Sequence, residues 1–140
     1  MSLTDVHWID LPHVPDERGV LTSIESGPDV PFEIRRVFFM RHVRGERGGH
    51  AHRATRQLLV PIAGVFNVEV SDGTETATHT MNDPHRGLLV PPMTWVRLSE
   101  FTPDAICLVL ADTLYSNAGY IRDWDKFVAM SQSAPPRAAR

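Results

Sequence analysis

Short apolar runs recur roughly every ten residues along this chain, and turn-forming residues close nearly all of them. The stretches 7–11, 19–24, 33–43, 56–60, 65–70, 74–81, 87–90, 94–101 and 105–111 all read as strands. The clearest is 65–70, where Phe66, Val68 and Val70 alternate with Asn67 and Glu69. Ser71-Asp72-Gly73-Thr74 after it is a hairpin turn signal. The run 56–60 is apolar enough to be buried on both faces, and 74–81 is polar enough to lie at the surface. Eleven prolines and nine glycines fit many turns and short strands better than long helices. Only 117–130 reads as a helix, with Ile121, Trp124, Phe127 and Val128 on one stripe. Such a pattern predicts an all-β sandwich or barrel with a short C-terminal helix. We expect one domain over 1–130 and a flexible tail over 131–140, which is polar and contains Pro135-Pro136.

Composition removes several functions. The formal charge is −3 with no basic block, so clustered Lys and Arg for nucleic acid are lacking. No apolar run approaches the roughly 18 residues of a membrane helix, and no signal peptide is visible, so a cytoplasmic protein is expected. The single cysteine, Cys107, sits in an apolar run and reads as a buried small hydrophobe.

Chemistry concentrates in Arg47-Gly48-Gly49-His50-Ala51-His52. If this segment is extended, both histidines point to one face. Two imidazoles on one wall either bind a metal or move protons near neutral pH. The layout His-x-His, then Gly64, then Pro91-Pro92 before another strand pair resembles a cupin, a small jelly-roll barrel with its site inside. Cupin metal sites usually add a Glu after the His pair and a later His. Here Gln57 and Val96 stand at those places, so two of the customary ligands are missing and the site is read as metal-free. His79 and His85 lie in polar, turn-adjacent sequence and are expected to face solvent.

A narrower resemblance rests on Arg36-Val37-Phe38-Phe39, Arg47 to Arg53, Gly87 to Trp95, Pro103-Asp104-Ala105 with Leu108 to Ala111, and Tyr120 to Phe127. In this order the segments resemble the sugar 3,4-ketoisomerase cupins, which act on thymidine-diphosphate (TDP)-linked 4-keto-6-deoxyglucose. The resemblance implies catalysis by His50 and His52, no cofactor, a TDP-sugar substrate, and a homodimer that exchanges N-terminal strands. Trp8, Ile9, Leu11, Val20 and Leu21 would then cover the partner subunit.

The reaction itself asks for a base of near-neutral pKa, because a C3 proton must leave and a C4 proton must arrive. His52 is assigned the carbon proton and His50 the oxygen protons, a division that the sequence leaves reversible. Arg47 is the expected anchor for a diphosphate or an enediolate oxygen. Gln57, Arg41, Arg97 and Trp95 complete the expected substrate-binding set. Tyr120 and Arg122 are assigned to packing the C-terminal helix on the barrel. Two other functions stay open at this point: a TDP-sugar 3,5-epimerase, which pairs one His with an acid and a Tyr, and a non-catalytic nucleotide-sugar-binding cupin.

Overall fold

The structure is a computed structural model that describes residues 3–133. Its strands are β1 (His7–Asp10), β2 (His13–Asp16), β3 (Gly19–Thr22), β4 (Arg36–Arg41), β5 (Arg47–His52), β6 (Gln57–Ala63), β7 (Phe66–Ser71), β8 (Thr76–Met81), β9 (Arg86–Val90), β10 (Trp95–Ser99), β11 (Ile106–Ala111) and β12 (Tyr120–Ile121). One helix, α1 (Trp124–Ser133), follows. Two five-stranded sheets form, in the orders β1-β9-β6-β11-β4 and β12-β5-β10-β7-β8, and β2-β3 is a separate hairpin. Every ladder in them is antiparallel. The two large sheets face each other as a jelly-roll sandwich, the all-β class expected.

Alternation explains the core. Phe66, Val68 and Val70 of β7 and Val96 and Leu98 of β10 are buried and meet Leu59, Leu88, Cys107 and Val109 from the opposite sheet. Burial also pushes the Cys107 thiol up to about 12, so it is an inert core residue. The run at the start of β6 is buried on both sides because a second layer covers it: Leu58 and Val60 pack with Leu11, Val30, Phe32, Leu89 and Leu110. Pro61 is tolerated in this central strand because the β6–β11 register shifts beside it, between Ile106 and Cys107. At the end of β6 the chain turns through Gly64, whose φ is +66° and where a Cβ would lie 2.5 Å from the Ala105 Cα.

Three expectations change. The N-terminal segment has a further strand, β2, and β1 pairs with β9 of its own chain, so Trp8, Ile9 and Leu11 pack on this chain's own core. Val14, Val20 and Leu21 of the hairpin remain exposed, as do Val37 and Phe39 on the edge strand β4. The helix starts at Trp124, not in 117–123, because Asp123 caps it: its carboxylate accepts from the Lys126 N–H. Ile121 matched the helical stripe because, from β12, it packs in the same cluster as Phe127 and Ala51. The helix also runs to Ser133, so 131–133 are not tail; 134–140 lie outside the described residues. Among the described residues no helix is long and apolar enough to cross a membrane.

Candidate active site

A cavity of about 310 Å³ opens between the sheets. Its apolar walls are Phe38, Met40, Leu59, Val96, Leu98 and Val109, and its polar lining is Arg47, His50, Gln57, Tyr120 and Arg122.

A backbone irregularity in β5 assembles the polar side. On a regular strand Arg47 and His50, three residues apart, would face opposite ways. The β5–β10 pairing slips by one residue, with Val96 opposite His50 and Arg97 opposite Gly48. The extra residue turns both Arg47 and His50 to the cavity. Gly48 and Gly49 allow it, with φ of +87° and +75°. A Cβ on Gly48 would meet the Val96 carbonyl oxygen at 2.7 Å.

His52 follows His50 on the same face. Their rings are 5.1 Å apart between centroids and perpendicular. Tyr120 lies against both, 4.9 Å from His50 and 4.4 Å from His52, because β12 pairs Tyr120 directly with His52. His50 is on the cavity wall; His52 is deeper, 5% exposed, with Nε2 buried and without a hydrogen-bond partner. Burial, then His50, Arg36 and Arg122, lower the His52 pKa to about 4. Burial and the Arg122 and Arg47 charges lower His50 as well, against a hydrogen bond with the Gly48 backbone. Both rings are therefore neutral at pH 7 in the free protein, with His52 well below the near-neutral value expected of the carbon base because it is buried among cations.

Of the expected substrate-binding residues, Arg47 and Gln57 reach the cavity, while Arg41, Arg97 and Trp95 do not line it. Arg41 ends β4 on its exposed face. Trp95 and Arg97 alternate with the inward Val96 and Leu98, so they lie on the outer face of the sheet. There Trp95 packs on Trp124 and Phe127, and Arg97 pairs with Glu46 and Glu69. Phe66 is core, stacked on Phe101. His79 and His85 are half-buried, not solvent-facing: His79 lies edge-on to Trp8, and His85 stacks on His13 at 3.9 Å.

Two cavity residues had been assigned to helix packing. Tyr120 is in a strand, and the Arg122 guanidinium lies over its ring at 4.4 Å. The signal in the sequence was Asp123, a helix cap that leaves Tyr120-Ile121-Arg122 extended and puts Tyr120 and Arg122 on one face.

The donors do not suit a transition metal. Among the described residues no three His, Cys, Asp or Glu side chains gather. Val96, directly opposite His50, offers no ligand atom. The cavity is instead lined by one imidazole, His50, with Tyr120, Gln57 and two cations and no carboxylate, while His52 lies behind that wall.

Residues 4–132 match the protein family described as FdtA: WxcM-like, C-terminal. The chain is 36% identical over 121 residues to a TDP-4-oxo-6-deoxy-alpha-D-glucose-3,4-oxoisomerase of Aneurinibacillus thermoaerophilus, covering 85% of this chain and 87% of that protein. It superposes with a TM-score of 0.91 on a point mutant of the 3,4-ketoisomerase QdtA from Thermoanaerobacterium thermosaccharolyticum in complex with TDP-4-keto-6-deoxyglucose. That match has 31% identity and covers 94% of this chain and 96% of the other. A 3,4-ketoisomerase from Helicobacter canadensis gives a TM-score of 0.89 and 30% identity over 92% of this chain and 98% of that one.

Proposed function

The chain belongs to the FdtA family (WxcM-like, C-terminal), and we infer from that membership and from its histidine pair that it is a nucleotide-sugar 3,4-ketoisomerase. It converts TDP-4-keto-6-deoxyglucose to a TDP-3-keto-6-deoxyhexose in deoxysugar synthesis. The observation that carries the chemistry is the pair of neutral imidazoles, 5.1 Å apart, at a cavity lined by Arg47 and Arg122.

In the reaction a base removes the C3 proton, and the electron pair of that C–H bond becomes the C3–C4 double bond as the C4 carbonyl oxygen turns anionic. Protonation of that oxygen gives the enediol. Loss of the O3 proton then forms the C3 carbonyl, and C4 takes a proton. The sugar is neither oxidised nor reduced overall. His52, neutral and with an unspent Nε2, takes the C3 proton. His50, on the cavity wall, moves the oxygen protons. Arg47 and Arg122 hold the diphosphate or the transient enediolate oxygen, and Gln57 hydrogen-bonds a sugar hydroxyl. The 3,5-epimerase reading needs an acid beside the histidine, and no carboxylate lines this cavity.

The working form is a homodimer in which the hairpin β2-β3 crosses to the partner. Val14, Val20 and Leu21 are 60%, 55% and 63% exposed, an apolar surface that a second copy would cover. The reaction is placed in the cytoplasm on the sequence reading alone.

Conversion of the 4-keto nucleotide sugar, read by proton NMR, tests the function. Turnover is expected to survive prolonged treatment with strong chelator, and the purified protein to hold no stoichiometric transition metal. Loss of turnover restored by Fe, Mn or Zn would overturn the metal-independent mechanism.

A further inference from the structure

Arg36 differs from Arg56 and Arg97, and shares with Arg86 a buried, unpartnered Nε and an aromatic face. Arg56 and Arg97 pair with carboxylates, Asp112 for the first and Glu46 and Glu69 for the second. Among the described residues the Arg36 guanidinium has no carboxylate within ion-pair distance, and its Nε is buried without a hydrogen-bond partner. What surrounds it is aromatic: Phe38 at 5.2 Å and Tyr115 at 5.6 Å from the guanidinium carbon. A half-buried cation with a buried, unsatisfied donor is costly, and aromatic faces recover only part of that cost.

Its place in the sheet says what the charge is near. Arg36, Phe38 and Met40 are the partly buried residues of β4, and Phe38 and Met40 line the cavity. Arg36 therefore belongs to the inner face. It sits opposite Ala111, and Ala111 sits opposite Gln57, so Arg36 and Gln57 flank one small residue in a single row across three strands. Gln57 is on the cavity lining. Tyr115, over which Arg36 lies, is 5.9 Å from Tyr120, the ring that packs on both histidines.

We propose that Arg36 is a positioning residue for the isomerisation, a fixed positive charge on the opposite sheet that acts on His52 from behind the Tyr115 and Tyr120 rings. It rests on the isomerase reading above. The groups acting on His52 are His50 on its own strand, Tyr120 on β12, Arg122 just after it, and Arg36 on β4; no carboxylate opposes them. In that field a protonated His52 is disfavoured before substrate binds, and negative charge developing on the enediolate oxygen is favoured. The aromatic cradle offers the guanidinium no carboxylate that would neutralise it and weaken the field.

Arg36→Met, Arg36→Gln and Arg36→Lys test this against a purely structural role. Two readouts are taken: the imidazole titration of His52 by NMR in the free protein, and the pH dependence of kcat/KM. In Arg36→Met and Arg36→Gln the His52 titration and the acid limb of the rate profile should both move up by about one pH unit. KM should change little, because Arg36 does not line the cavity, and Arg36→Lys should restore both values. An unmoved titration in a folded neutral variant overturns the proposal. So does a Lys variant that behaves like Met, or the failure of both neutral variants to fold, since either makes the role one of packing. A wild-type protein that neither isomerises nor exchanges the sugar would instead refute the isomerase reading, while the NMR titration would still report on Arg36.

Discussion

His52→Asn lowers turnover by about 10²- to 10⁴-fold, the usual cost of losing a general base. Deuterium exchange at C3 is lost with it, while TDP binding stays near wild type because Arg47 and Arg122 are untouched. Asn keeps the size and some hydrogen bonding of the ring but removes the titrating group. His50→Asn behaves differently: it slows net isomerisation yet leaves measurable C3 exchange, since the carbon base is intact. Solvent-exchange NMR and steady-state rates on the two variants separate the roles. If His50→Asn loses exchange and His52→Asn keeps it, the assignment is reversed. If both isomerise at the wild-type rate, the base lies elsewhere.

Deleting the chain through Pro15 gives aggregation or a monomer of low activity, as seen by sedimentation. The deletion removes β1, which completes one edge of the first sheet, and with it the flanking core residues Val6 and Leu11, 8% and 2% exposed. It also removes half of the hairpin that carries Val14. The double substitution Val14→Asp and Leu21→Asp isolates the second effect, because both side chains are exposed in the single chain. That variant should fold and yet sediment as a monomer. A fully active, soluble truncation, or a dimeric double variant, would contradict the exchanged-hairpin dimer.

The strands were legible because their signal is local. Period-two burial in β7 and β10, the hairpin turn after β7 and the apolar run of β6 each need only a few neighbouring residues to be recognised. The helix boundary was less so, since Ile121 falls on the helical stripe while belonging to a strand, and only the cap at Asp123 separates the two. In the site, His50 and His52 followed from alternation alone. Arg47 joined them through a bulge that two glycines permit, a shift that alternation does not reveal. Arg97 and Trp95 were close in sequence to inward residues but one step out of phase with them. Arg36, Tyr120 and Arg122 come to the histidines through strand pairing and the facing of two sheets, contacts that sequence spacing does not encode.

The central claim is that this histidine pair removes a proton at C3 and supplies one that has exchanged with solvent at C4 of a keto sugar, without a metal. Incubating the full chain with TDP-4-keto-6-deoxyglucose in deuterium oxide, with chelator present, and following the sugar by NMR tests it in one measurement. The expected result is a TDP-3-keto-6-deoxyhexose carrying deuterium at C4. Exchange at C5 together with C3, with the carbonyl still at C4, would indicate an epimerase, and an unlabelled, unconverted sugar would indicate a binding protein; either contradicts the account.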